Sequence, residues 1–100
     1  MFANPAKSVD ACFTVLARRT DTEPARLGLA ISKKCARRAV DRSRLKRVVR
    51  ESFRRHRADL YGLDLVVLCR RDAVGSRSQR LFDSLSVHWK RILDQLCASC

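Results

Sequence analysis

A chain of 100 residues in which 46% are hydrophobic and only three are glycine can bury one core, which excludes a disordered polybasic tail and leaves no room for two domains. Its 22 Lys and Arg residues against 10 Asp and Glu residues give a net charge of +12, which favours a polyanionic partner, most commonly nucleic acid. Apolar runs fall far short of the roughly 20 residues that a membrane-spanning helix needs, which excludes a membrane protein.

The first third of the chain predicts two strands. Residues 1–11 contain Pro, Asn and few periodic apolar positions, and they predict an irregular start with a short helical turn at most. Residues 12–18 and 26–33 alternate between apolar and other positions, as strands with one covered face do. A polar connector with a proline joins the two runs, so we expect them to form an antiparallel pair.

Residues 39–57 predict an amphipathic helix with a strongly basic face. At about 100° per residue the apolar side chains form one stripe, and the opposite side carries Lys46, Arg47, Arg50, Arg54 and Arg57. Asp41 is a candidate N-cap, and Glu51 can pair with arginines four residues away. Arg outnumbers Lys in this region, and its planar guanidinium suits bidentate contacts with phosphate.

The last third of the chain completes an α+β pattern. Residues 62–71 are a short apolar run without alternation, which predicts a strand covered on both faces. Apolar positions recur at helical spacing through 78–96, so we expect a second amphipathic helix capped by Ser76 or Ser78. The whole chain, 1–100, then forms a single α+β domain, a small two-layer sandwich with helices packed on a mainly antiparallel sheet of three to four strands.

No pattern typical of a catalytic or metal site is present in the sequence. The acidic residues are dispersed without the spacing of Mg²⁺ ligands, and His56 and His88 are expected to be packing residues. The five cysteines are an odd number without a secretory signal, which predicts reduced thiols in a cytoplasmic protein. We expect small apolar fillers at Cys12, Cys35 and Cys69. The lone pair Cys97 and Cys100 is weak evidence for zinc.

One strand face leaves two interpretations open. Phe13 and Val15 point the same way from the first predicted strand. That face either packs under a helix or is exposed along a groove, where an aromatic ring beside a basic helix would stack single-stranded nucleotides.

Residues 26–57, RLGLAISKKCARRAVDRSRLKRVVRESFRRHR, resemble the conserved centre of the bacterial ribonuclease P protein component. The shared features are a strand ending in Ser-Lys-Lys, a short loop, Ala-Val, and a basic helix with an Arg-Asn-Arg signature that continues into Lys-Arg, Arg-Glu and Phe-Arg. FANP before the first strand and the apolar strand at 63–70 also agree. The resemblance implies a protein subunit that helps a large catalytic RNA remove the 5′ leader of precursor tRNA. The catalytic groups and the Mg²⁺ ions would belong mainly to that RNA, with no organic cofactor and no DNA or membrane partner.

The resemblance also implies roles for individual residues and an unusual left-handed β-α-β crossover through the basic helix. Contacts with the catalytic RNA are expected from Lys33, Lys34, Arg37, Arg38, Arg42, Ser43, Arg44, Lys46, Arg47, Arg50 and Arg54. The leader would lie in a groove lined by Phe2, Phe13 and Val15. Ser43 stands where the family usually has Asn, so a two-point amide contact is lost. The first helix of the family is shortened here, and the cysteine-containing tail 97–100 has no assigned role.

Three other classes share part of this pattern. A ribosomal or other structured-RNA-binding protein would carry the same charge without stimulating leader cleavage. A helix-turn-helix DNA-binding protein is disfavoured because strands flank the basic helix. A stand-alone metal-dependent nuclease would cleave RNA by itself, and a chelator would stop it.

Overall fold

The computed structural model describes residues 5–20 and 24–98. Four strands form one open sheet: β1 (Ala6–Val9), β2 (Phe13–Arg19), β3 (Arg26–Ala30) and β4 (Leu63–Cys69). Two helices, α1 (Ala39–His56) and α2 (Ser78–Ala98), pack on the sheet, and a single 3-10 turn at Arg71–Ala73 precedes α2. The predicted α+β architecture and both predicted helices are confirmed. Neither of these helices is long and apolar enough to cross a membrane.

The strand order is β1-β2-β4-β3. The expected antiparallel pairing of residues 12–18 with 26–33, which contain β2 and β3, is therefore wrong. β4 lies between them, antiparallel to β2 and parallel to β3. Because β4 is the most apolar run, the centre of the sheet is where its burial is most favourable. The connection β3-α1-β4 is the parallel crossover that the resemblance implies, and its left-handed sense stays a prediction.

An edge strand occupies part of the segment that was expected to be irregular. β1 pairs antiparallel with β2, with Ser8 opposite Val15. The carboxylate of Asp10 accepts hydrogen bonds from the backbone N–H groups of Cys12 and Phe13, each at 2.8 Å, and so closes the turn between the two strands. Asp is a common turn residue for this reason, and it is the local signal that could have indicated a hairpin here.

The core lies between one face of the sheet and the two helices. Its sheet side is built from inward-facing residues of β2 and β4, and its helix side from Leu45 and Val49 of α1 and Leu81, Leu85, Trp89 and Ile92 of α2. The polar residue in the α1 stripe, Ser52, is buried and accepts a 2.9 Å hydrogen bond from the indole N–H of Trp89. This bond satisfies both polar groups, which would otherwise destabilise the core.

Phe13 and Val15 belong to this core, so they do not line a groove. Both side chains are 0% exposed, because strand alternation turns them toward the helices. The opposite face of the sheet carries Thr14, Leu16, Val66 and Leu68, and no described helix packs over it. β4 is therefore covered by helices on one face only, and the expectation of two covered faces is wrong.

Two local expectations are also corrected. Asp41 is not the N-cap: α1 begins at Ala39 after the extended residue Arg38, and Asp41 lies in the first turn, where its charge favours the helix dipole. Cys35 and Cys69 are joined in a disulfide with their Cα atoms 6.3 Å apart, so they are not reduced fillers. The parallel pairing of β3 and β4 brings the chain segments after β3 and at the end of β4 together. Cys12 is free and buried, as expected.

Candidate nucleic-acid interface

The outward side of α1 carries a row of exposed cations. Arg47, Arg50 and Arg54 are exposed, Lys46 is half-buried, and Arg57 follows directly at the end of the helix. Leu45, Val48 and Val49 on the opposite side are buried against the sheet and α2, so packing fixes which way the arginines point. We call Lys46, Arg47, Arg50, Arg54 and Arg57 the basic face.

A basic loop precedes α1 and extends this charge. Lys33, Lys34, Arg37 and Arg38 are all exposed. Several of them line a cleft of about 470 Å³ that also includes Arg71, a residue that sequence reasoning did not single out. The disulfide at Cys35 ties the middle of this loop to β4. The disulfide therefore restricts the movement of the backbone that carries these cations.

Two of the arginines expected to contact RNA bind the protein's own backbone. Arg42 donates from Nη1 to the carbonyl oxygens of Ala36 and Arg37, at 2.8 and 2.9 Å. Arg44 donates from Nη2 to the carbonyl oxygens of Val74 and Ser76, at 3.1 and 3.0 Å. Both side chains are half-buried. Arg42 therefore holds the basic loop against α1, and Arg44 holds the segment before α2 against the same helix.

Glu51 neutralises only part of the cationic surface. Its carboxylate lies 3.5 Å from Arg55 Nε and 3.6 Å from Arg54 Nη1, which confirms the predicted pairing at a spacing of four for Arg55. The guanidinium of Arg55 also lies 4.9 Å from the centre of the Phe82 ring, in a cation–π contact. These exposed ion pairs contribute little to stability. They also leave Arg47 and Arg50 without an acidic neighbour among the ion pairs that the structure describes.

Ser43 is exposed on the first turns of α1, so its hydroxyl is accessible to a partner. Phe2, expected in the leader groove, lies outside the described residues. Phe13 and Val15 lie in the core, as described above.

A buried Ser-His-Asp arrangement joins β1 to α2 but is inaccessible. His88 is 0% exposed, with Nδ1 2.6 Å from Ser8 Oγ and Nε2 3.2 Å from Asp10 Oδ1, where the alignment is outside that of a hydrogen bond. Burial lowers the pKa of His88 below its ordinary value of 6.5, although the Asp10 carboxylate opposes the shift. Burial alone would raise the pKa of Asp10, but hydrogen bonds from Ser84 and the backbone, with the His88 charge, lower it to about 2. The cluster stabilises the attachment of β1 to α2.

Within residues 5–20 and 24–98, no three His, Cys, Asp or Glu side chains come together in a way that could hold a metal ion. The Mg²⁺ implied by the resemblance thus has no ligand cluster in the described part of the chain.

The fold and the basic face together define a small α+β RNA-binding protein, and comparisons with known proteins agree. The family described as Ribonuclease P matches residues 1–93. The ribonuclease P protein component of Thioalkalivibrio sulfidiphilus is 53% identical over 92 residues, covering 92% of this chain and 77% of that protein. The one from Methylococcus capsulatus is 45% identical, covering 98% of this chain and 76% of that protein.

Solved structures show the same fold. The RNase P protein from Thermotoga maritima, in complex with 1-(4-fluorophenyl)-2-thiourea, superposes with a TM-score of 0.80 at 30% identity, covering 89% of this chain and 87% of that one. The Staphylococcus aureus RNase P protein gives a TM-score of 0.76 at 26% identity, covering 92% and 81%. The chain therefore belongs to the bacterial ribonuclease P protein family, whose members are components of a tRNA-processing ribonucleoprotein.

Proposed function

We propose that this chain binds the catalytic RNA of ribonuclease P through the basic face and the basic loop, and helps that RNA remove the 5′ leader of precursor tRNA. The observation that carries the proposal is the cationic surface of α1. Packing turns Arg47, Arg50 and Arg54 outward, and Arg42 ties the loop with Lys33, Lys34, Arg37 and Arg38 to the same helix.

The proposed mechanism is electrostatic and positional. Cations on α1 and the loop would neutralise phosphates of the catalytic RNA and lower its repulsion of the precursor tRNA, so less Mg²⁺ would be needed for binding and cleavage. The Mg²⁺ ions and the reacting groups are assigned to the RNA because the family resemblance implies it. Arg42 and Arg44 would act by holding the loop and helix in place, because their guanidinium groups already bind backbone carbonyls.

The leader is reassigned to the other side of the sheet. The inward face with Phe13 and Val15 is closed by the helices, whereas Thr14, Val66 and Leu68 lie half-buried on the face that carries no described helix. Lys7 is exposed on the same face of the neighbouring strand, opposite Leu16. A single strand on this face would find apolar side chains for its bases and a cation for its phosphates.

The test is leader removal from a precursor tRNA across a Mg²⁺ titration, using a bacterial ribonuclease P RNA with and without the full chain. We expect the protein to move cleavage to lower Mg²⁺ and to be inactive alone. Arg47→Gln with Arg50→Gln should reverse most of that shift. Lys90→Gln with Arg91→Gln, which removes two exposed charges from α2, is the matched control and should retain it.

Two outcomes would overturn the proposal. Tight RNA binding without any change in the Mg²⁺ requirement would favour a ribosomal or other structured-RNA-binding role. Cleavage of precursor tRNA by the protein without the catalytic RNA, if a chelator abolished it, would favour a stand-alone nuclease.

A further inference from the structure

A second groove separates the basic face from the edge of the sheet. It has a volume of about 550 Å³ and lies between β3 and α1. Its lining divides into an apolar part, with Ala25, Leu27, Leu29 and Phe53, and a cationic part, with Lys46, Arg50, Arg54 and Arg57. Among the residues that the structure describes, no acidic side chain lines it. The groove is on the helix-covered side of the sheet, away from the face assigned to the leader.

The apolar part is a floor that the fold leaves half-open. Leu27 and Leu29 alternate with exposed residues along β3 and are only half-buried. β3 is the last strand of the described sheet, so α1 covers its inward side chains from one direction only. Phe53 closes the end of the floor and is held edge-on against Trp89, with ring centroids 6.5 Å apart. Phe53 is thus held by a core residue, and the leucines of the floor are partly accessible.

This pairing of an apolar floor with a cationic rim fits a nucleotide. A base can bury its ring face on leucine and phenylalanine side chains while its flanking phosphates meet arginines and a lysine. Charge complementarity excludes a cationic partner and favours a polyanion over an uncharged ligand. An acidic peptide has the same sign of charge, but only RNA is also expected along the rest of the basic face.

We propose that the groove between β3 and α1 holds one unpaired nucleotide of the ribonuclease P RNA, with its base on Leu27, Leu29 and Phe53 and its phosphates on the basic face. The site rests on the proposed function for the identity of the RNA. Phosphate contacts alone would not distinguish paired from unpaired RNA at this interface. The proposed site adds a base contact, which requires an unpaired nucleotide.

The test separates the base contact from the phosphate contacts by the salt dependence of binding. Leu29→Gln makes the floor polar without changing charge. Leu29→Met introduces a side chain of nearly the same length as Gln but keeps the floor apolar. Affinity of the full chain for the ribonuclease P RNA should fall roughly fivefold for Leu29→Gln at every salt concentration, the low end of the range for base stacking, with an unchanged salt slope. Leu29→Met should stay within about twofold of the wild type. By contrast, Arg50→Gln should reduce the slope by about 0.7 to 0.9.

Chemical probing gives the second readout. An unpaired base that the wild type and Leu29→Met protect from a base-modifying reagent should become reactive with Leu29→Gln. Val87→Gln, at a 46% exposed apolar position on α2, is the remote control and should leave both affinity and protection unchanged. Thermal unfolding of each variant shows whether a loss of binding reflects a loss of fold.

A measurement on the wild type keeps the proposal testable if Leu29→Gln fails to fold. A short single-stranded oligoadenylate should displace the ribonuclease P RNA from the chain roughly fivefold better than an oligomer of the same length whose residues are all abasic, because only the oligoadenylate has a base that can fill the floor. Equal competition, or equal binding by Leu29→Gln and Leu29→Met, would overturn the site and leave an acidic peptide as its alternative occupant.

Failure of this site and failure of the proposed function have different signatures. If the chain lowers the Mg²⁺ requirement but shows no base dependence, only the nucleotide site is wrong. If base protection is observed without stimulation of cleavage, the nucleotide site stands and the role in leader removal is wrong.

Discussion

The arginines of α1 fall into two groups that the sequence does not separate. Arg42 donates guanidinium hydrogen bonds to backbone carbonyls of the loop before α1, and Arg44 donates them to backbone carbonyls of the segment before α2. Arg47 and Arg50, one and two turns further on, are exposed. The same residue type in one motif can therefore fix the shape of an interface or supply its charge, and only the tertiary contacts distinguish the two uses.

Neighbouring residues of β2 also differ in role, because one faces the core and the next faces the open side of the sheet. Substitutions there should give the largest difference in the free energy of unfolding. Phe13→Ala should lower the free energy of unfolding by about 3–5 kcal/mol, because it removes a fully buried ring from the core. Thr14→Ala, at the neighbouring half-buried position on the open face, should change it by less than about 1 kcal/mol. Urea unfolding measures both. A small effect of Phe13→Ala would contradict the assignment of this ring to the core and restore it to a groove.

The two groups of arginines should differ in stability by a smaller margin. Arg44→Ala should cost about 1–2 kcal/mol, because it leaves the carbonyl groups of Val74 and Ser76 without their charged donor. Arg47→Ala should stay within about 0.5 kcal/mol, since its side chain is exposed. Urea unfolding at moderate salt gives both values, and equal losses for the two variants would erase the distinction.

Acid should lower the stability of the fold modestly through the cluster of Ser8, Asp10 and His88. The lowered pKa of His88 means that the unfolded chain takes up its proton first, so stability falls as the pH drops below about 6.5. The pKa of Asp10, lowered to about 2, gives stability that is present above its ordinary value of 3.8 and lost as the pH falls toward 2. Arg91 also bears on this cluster, since its charge lowers the pKa of His88.

Asp10→Asn isolates the carboxylate contribution. We expect this variant to be less stable than the wild type at neutral pH but to lose less stability between about pH 5 and pH 2, because the titrating carboxylate is gone. Urea midpoints across that range measure the difference. Parallel losses in the two proteins would show that other groups dominate acid unfolding.

Much of the fold follows from local patterns, whereas the sheet order does not. The apolar stripe of α1 and the helical spacing of 78–96 locate both helices, because each pattern repeats over many turns. The position of β4 between β2 and β3 depends on a long-range pairing that no local pattern encodes. β1 was missed because four residues with one buried side chain carry little periodic signal.

The location of the cationic surface could be predicted from the sequence, whereas the contacts of its individual side chains could be predicted only in part. Residues 33–57 hold twelve Lys or Arg residues against two acidic ones, and this excess located the basic face and the loop. Arg42 binds backbone carbonyls only five and six positions before it, and the shape of the loop decides that contact. The role of Arg44 was not predictable, because its backbone partner Val74 lies 30 positions away in the sequence. The disulfide between Cys35 and Cys69 was missed for the same reason, since only the parallel pairing of β3 and β4 brings the two cysteines together.

The exposed arginines of α1 are proposed to supply the charge that binds the catalytic RNA. The most direct measurement is the dissociation constant for a bacterial ribonuclease P RNA as a function of salt concentration. It would be made for the wild type, for Arg47→Gln with Arg50→Gln, and for Lys90→Gln with Arg91→Gln. We expect the slope of log affinity against log salt to fall by about 0.7 to 0.9 for each arginine removed from α1, and to stay unchanged for the α2 pair. Equal changes for the two pairs would contradict this proposal, because binding would then depend on net charge and not on this helix.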